Sequence, residues 1–128
     1  MAMGTSADAI DTMIREFFKA WERRDADYIA SCFTDDAVYQ NVPTEPIVGK
    51  VAIREFLSGR ADSPPPRIEI RHQVVSRGVV MNERIDEMTV EGHRFALPIC
   101  GVFEIKDGLI AGWREYFDWA TVARLMSG

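Results

Sequence analysis

Three short stretches of this chain place ionisable or hydrogen-bonding side chains two residues apart, the spacing that gathers alternate residues of a strand on one side. In AVYQNV, Tyr39 and Asn41 face the same way as Ala37, opposite Val38 and Val42. In NERIDEM and its two flanking residues, Asn82, Arg84, Asp86 and Met88 share one side, and Met81, Glu83, Ile85, Glu87 and Thr89 the other, so neither face is apolar. In GWREYFDW, Trp113, Glu115 and Phe117 oppose Arg114, Tyr116 and Asp118. A carboxylate flanked by Trp and Phe either lies inside a pocket or is placed at real energetic cost. Burying it ionised demands a cation and hydrogen bonds. Arg84 can be that cation, because a forked guanidinium holds two carboxylates at once, and Asp86 is the natural second one. Two such acids, sharing one arginine and one proton, have the equipment for general acid–base chemistry. Periodicity equally permits Arg84 and Asp86 to form a surface ladder on a sheet edge, worth little energetically. At this level both readings stand.

The elements that must position these groups read as follows. Residues 6–24 form an amphipathic helix with Ile10, Met13, Ile14, Phe17 and Trp21 on one stripe, and Thr5 with Asp8 as a capping box. A second helix over about 25–33 buries Ile29, Cys32 and Phe33, and Asp35-Asp36 turns the chain into the AVYQNV strand. Thr44 to Gly49 is a loop, and a third helix near 50–59 turns Ile53, Phe56 and Leu57 inward. Ser63-Pro64-Pro65-Pro66 is a stiff connector within one domain spanning 1–128. Four strands follow, broken by turns at Arg77-Gly78, Glu91-Gly92 and Lys106-Asp107-Gly108, and Ala120 to Met126 closes the chain as a short helix. Helices segregated from a meander imply an α+β domain. A strongly bent sheet wrapped around the first helix makes a cone, with its site in the hollow between sheet and helices.

Composition narrows the function classes. At 128 residues with 47% hydrophobic and 27% charged content, the chain has the makeup of a globular domain. A formal charge of −5 and a pI near 5.0 argue against nucleic acid as the main partner. The apolar runs are far too short to span a membrane, and MAMGTSADAI lacks the features of a secretory signal, so a cytoplasmic protein is expected. Cys32 and Cys100 have no CxxC partner and are expected as two buried thiols. His72 and His93 lack metal-ligand spacing, so no metal is expected, and a His in IEIRHQVV reads as structural or solvent-facing.

YQNVP at 39–43, ERID at 83–86 and GVFEIKDGLIAGWREYFD at 101–118, in this order and spacing, together resemble the limonene-1,2-epoxide hydrolase family over most of the chain. The resemblance implies a strongly curved mixed or antiparallel sheet wrapped around about three N-terminal helices. This is the cystatin-like cone with a deep pocket shared by nuclear-transport-factor-like, SnoaL-like and ketosteroid-isomerase-like proteins, usually a homodimer. It also implies cofactor-free, one-step addition of water to a small hydrophobic, limonene-oxide-like epoxide, giving a vicinal diol. By position, Asp86 matches the acid that protonates the epoxide oxygen, and Arg84 the arginine between the acids. Tyr39 and Asn41 match the residues that hold the attacking water.

Glu115 falls where the family has an aspartate, the base that takes the water's proton. Its extra methylene sets the carboxylate about an ångström farther into the site, a displacement that costs roughly a hundredfold in rate unless the backbone compensates. Asp118 lies on the opposite face of the strand and is no simple substitute. A hydrophobic substrate needs an apolar lining, for which Met88, Leu97, Ile99, Trp113, Phe117 and Phe33 are the candidates. Two other classes fit the same architecture. One is an isomerase or cyclase using Asp86 as base and Tyr39 as oxyanion donor. The other is a non-catalytic binding or dimerisation module with a relic site.

Overall fold

The computed structural model describes residues 6–59 and 63–127. The first helix, α1, runs Ala7–Arg23 and turns Ile10, Ile14, Phe17 and Phe18 into the interior. Ser6 caps it, its side chain accepting from Ala9 N at 3.1 Å. The predicted Thr5 cap lies outside the described residues. Arg24 ends the helix in the left-handed conformation at φ 57°. Helix α2 spans Ala26–Ser31 and is capped by Asp25, whose carboxylate accepts from Tyr28 N. It is shorter than the sequence predicts. The main chain of Cys32 already accepts from Ile110 N at 2.7 Å, which pulls Phe33 out of the helix and into the first strand.

Strand β1 covers Phe33–Asn41, and β2 is a two-residue strand, Ile47–Val48, inside the segment read as a loop. Helix α3 spans Lys50–Ser58. Strands β3 (Arg67–Ser76), β4 (Val79–Val90), β5 (His93–Lys106) and β6 (Leu109–Tyr116) form the expected meander, and α4 covers Trp119–Ser127. The three hairpin turns place Arg77-Gly78, Glu91-Gly92 and Asp107-Gly108 at positive φ, the backbone that two-residue hairpin loops require.

The sheet order is β2-β1-β6-β5-β4-β3. β1 lies parallel to β6 while the other pairings are antiparallel, so the sheet is mixed. Asp35 and Asp36 do not turn the chain. They stand exposed in β1, within an irregularity between Phe33 and Val38 that restores the register for Tyr39 and Asn41.

Two apolar clusters line the concave face of this sheet. The larger joins α1 to the sheet through Ile14, Phe17, Phe18, Phe33, Val80, Phe103, Ile110 and Trp113. The smaller, Phe95, Leu97 and Ile99, is covered by Val122, Leu125 and Met126 of α4. Alternation puts Cys100 on the convex face, so of the two cysteines expected as buried, Cys32 is buried and Cys100 exposed, both as free thiols. His72 is exposed beside Glu83. Among the described residues no helix is long and apolar enough to cross a membrane.

Candidate active site

Between the two apolar clusters, four polar side chains are buried: Asn82, Arg84, Asp86 and Glu115. Alternation along β4 delivers the first three to the concave face, and β6 delivers Glu115. Arg84 is on β4 and Glu115 on β6, two strands apart, which at sheet spacing is roughly 9–10 Å. The side chain must therefore cross over β5. It does so at Gly101, which is in register with Asn82 on one side and Glu115 on the other. The inward row of β5 reads Phe95, Leu97, Ile99, Gly101, Phe103, and the missing side chain in that row is the gap the guanidinium occupies. A Cβ at 101 would lie 2.5 Å from Arg84 Nη1 and 2.7 Å from Glu115 Oε1.

Arg84 has no solvent exposure, and all five of its N–H groups find acceptors. Nε donates to Asp86 Oδ1 at 3.1 Å and Nη2 to Asp86 Oδ2 at 2.9 Å. Nη1 donates to Glu115 Oε1 at 3.0 Å, and Nη2 also donates to Glu115 Oε2. The second Nη1 hydrogen goes to Asn82 Oδ1 at 2.8 Å. The ring of Phe18 covers the guanidinium at 4.4 Å. Glu115 accepts one more hydrogen bond, from the indole of Trp113, so both its oxygens are used as acceptors. The surface-ladder reading of Arg84 and Asp86 is thereby excluded.

The electrostatics follow from this enclosure. Burial pushes the Glu115 carboxyl above its usual range, opposed by the adjacent Arg84 charge and its hydrogen bonds. For Arg84, burial opposes the charged form, but Glu115 and Asp86 outweigh it and hold the guanidinium firmly protonated. One cation between two ionised acids would leave a net buried negative charge. That cost falls on Glu115, the more deeply enclosed of the two acids, and is the reason its carboxyl is raised.

Tyr39 and Asn41 approach the same acids from β1. Asn41 is in register with Glu115 and Tyr39 with Trp113. The Tyr39 ring stacks on the Trp113 indole at 4.3 Å, and its hydroxyl donates to Asn41 Oδ1 at 3.4 Å. These groups line a cavity of about 1060 Å³ whose remaining walls are mainly apolar.

The chain matches the model of the limonene-1,2-epoxide hydrolase catalytic domain over residues 8–127. It belongs to the limonene-1,2-epoxide hydrolase family. It is 30% identical over 105 residues to the epoxide hydrolase EphG of Mycobacterium tuberculosis, an alignment covering 82% of this chain and 70% of EphG. Its fold superposes on an M. tuberculosis LEH-like epoxide hydrolase with a TM-score of 0.86 at 26% identity, covering 94% of this chain and 91% of that one. An NTF2-like protein of unknown function from Burkholderia pseudomallei gives a TM-score of 0.82 at 17% identity, covering 94% and 98%, and this likeness shows the α+β cone alone.

In this member of the limonene-1,2-epoxide hydrolase family, the structure brings Asp86, Glu115, Tyr39 and Asn41 together on the cavity wall, with Arg84 fully buried between the two acids. Met88, Leu97, Ile99, Trp113 and Phe117 line its wall. Phe33 does not. It is fully buried in the larger core cluster, edge-on to Phe17, because it opens β1 at the end of the strand remote from Asn41. Sequence reasoning missed the walls supplied by Phe56 of α3, Phe95 of β5, and Val122 and Met126 of α4. It also missed Gly101, although a glycine inside a strand already signals close approach of another group.

Proposed function

We propose that this chain is an epoxide hydrolase that adds water in one step to a small, hydrophobic, limonene-oxide-like epoxide, giving a vicinal diol. The observation that carries the reading is a single guanidinium clasping two buried carboxyls beside a tyrosine and an asparagine in a mainly apolar cavity. Asp86 donates its proton to the epoxide oxygen as the ring opens. Water held by Tyr39 and Asn41 attacks the carbon from behind, and Glu115 accepts the water's proton. Register supports this division, since Asn41 lies directly beside Glu115 and not beside Asp86. A raised Glu115 carboxyl is, when ionised, a stronger base than a surface glutamate. Proton count is conserved: Asp86 loses one, Glu115 gains one, and transfer between them resets the pair.

Two acids on one arginine favour hydrolysis over an isomerase, which needs a single base and an oxyanion donor. The chain works as one cofactor-free domain, in the cytoplasm and as a homodimer. Exposed Val74, Met81 and Tyr116 on the convex sheet face support a partner there. The decisive experiment incubates the protein with limonene oxide, cyclohexene oxide and styrene oxide in heavy-oxygen water and follows labelled diol. Turnover that disappears in Asp86→Asn is expected; undiminished turnover in that variant refutes the roles assigned. Sedimentation of the pure protein checks the dimer.

A further inference from the structure

The Arg84 hydrogen bond that does not go to a carboxylate leads away from the cavity. Asn82 Oδ1 accepts it, and Asn82 Nδ2 donates to Gln73 Oε1 at 3.0 Å. Gln73 Nε2 donates in turn to Asp11 on α1, to the carboxylate at 2.8 Å and to the main-chain oxygen at 3.2 Å. The polarity of this chain is forced. Arginine can only donate and the Asp11 oxygens can only accept, so each amide has one orientation that satisfies both its neighbours. Asn82 is 2% exposed, and Arg15 together with Gln73 holds the Asp11 carboxyl below its usual range, keeping the outer anchor charged.

Gln73 reaches the interior through a departure from strand alternation. From Ile68 and Ile70, the inward positions of a regular β3 would be His72 and Val74. A bulge between Ile70 and His72 reverses the phase, turning Gln73 and Val75 in and leaving His72 and Val74 exposed.

We infer that Asn82, braced by Gln73 against Asp11, is a positioning residue that fixes the plane of the Arg84 guanidinium and so the placement of Glu115. The physical case is one of degrees of freedom. Asp86 is two residues from Arg84 on the same strand, but Glu115 meets it across β5 on a side chain one methylene longer than aspartate. Nη1 is shared between Asn82 and Glu115, so a guanidinium free of Asn82 tilts toward one acid and drags the other contact out of line. Phe18 and Asn82 hold it from two directions, and both are tied to α1, Phe18 by sequence and Asn82 through Asp11. Among the described residues, the charged or titratable groups around the acid pair are Arg84 itself, Tyr39 from β1 and Arg24 elsewhere on the cavity wall, while Asp11 and Arg15 stand at the far end of the hydrogen-bond relay. β5 presents Leu97, Ile99 and Gly101 there.

The kinetic side of the inference rests on the epoxide-hydrolase reading, and the test separates the two. Asn82→Leu and Gln73→Leu are compared with wild type for epoxide turnover and for the ¹³C NMR titration of the side-chain carboxyls, which needs no substrate. Losing a hydrogen bond to a charged group predicts a kcat lowered roughly tenfold in Asn82→Leu, with KM changed less than about twofold. Gln73→Leu moves kcat in the same direction by a smaller factor. The titration of the Glu115 carboxyl shifts in both variants, which a merely structural role does not require. A folded Asn82→Leu protein with the wild-type carboxyl titration overturns the inference. If Asn82→Leu does not fold, Gln73→Leu at its half-buried position decides by the same readout. If wild type opens no epoxide but the titration still shifts, positioning stands and the hydrolase reading falls.

Discussion

Replacing Gly101 by alanine tests the central geometric claim with a single methyl group. The new Cβ would lie 2.5 Å from Arg84 Nη1, 2.7 Å from Glu115 Oε1 and 2.9 Å from Asn82 Oδ1, where ordinary contact begins at 3.4 Å. Something must move by close to an ångström. Arg84 cannot swing away, because its five N–H groups are committed and Phe18 covers its face. A displacement of about 1 Å in a catalytic array is worth roughly a hundredfold in rate, equivalent to about 2.7 kcal/mol of barrier. Overpacking of this kind also removes about 2–3 kcal/mol of stability, a fall in Tm of roughly 10 °C. The assay is kcat for labelled diol formation alongside a thermal melt. Gly59→Ala serves as control, since Gly59 has an ordinary helical φ of −66° and an added Cβ meets nothing closer than 3.6 Å. A Gly101→Ala protein with wild-type kcat and Tm would show that the crossing over β5 is not the tight passage described.

Four further outcomes follow from the same geometry. Arg84→Gln leaves the buried acid pair without its cation, so turnover disappears and unfolding free energy in urea drops by about 3–5 kcal/mol. Adding Glu115→Gln to that variant recovers part of the stability and none of the turnover. The Glu115 carboxyl is raised by burial, so its ionisation weakens the fold as pH rises beyond the ordinary glutamate range. The stability of Glu115→Gln relative to wild type should therefore grow as pH rises above the ordinary glutamate range, and a flat difference in urea midpoints contradicts this. Phe33→Ala lowers stability by about 3–5 kcal/mol. Its KM is unchanged once the protein is folded, whereas Trp21→Ala on the cavity wall raises KM for bulky epoxides.

The sequence resemblance implies an aspartate at position 115, and the surroundings of Glu115 suit the longer side chain. Glu115 accepts two hydrogen bonds from Arg84 and one from the Trp113 indole, and its Oε1 lies over the space left by Gly101. In the reverse variant, Glu115→Asp, the carboxylate draws back from Arg84. The resulting change in kcat reads whether these surroundings are matched to glutamate.

Much of this protein was legible in the chain itself. Alternation in NERIDEM and GWREYFDW committed Arg84, Asp86 and Glu115 to one side of their strands, because a period of two leaves a side chain no other choice. Arg-Gly, Glu-Gly and Asp-Gly marked the three hairpins through their need for positive φ, and the stripe on α1 marked its buried face. Other decisions belonged to the assembled sheet. Whether that polar face was inside depended on β5 passing beneath Arg84 with a bare glycine, a contact between residues far apart in sequence. The bulge in β3 exchanged Gln73 for His72 because pairing with β4, not local propensity, set its register. Phe33 became core when β1 joined β6 in parallel, and Cys100 stayed on the surface because β5 offered that position to its convex face. Local periodicity fixes which residues share a face; the pairing of distant strands decides which face is covered and what it meets there.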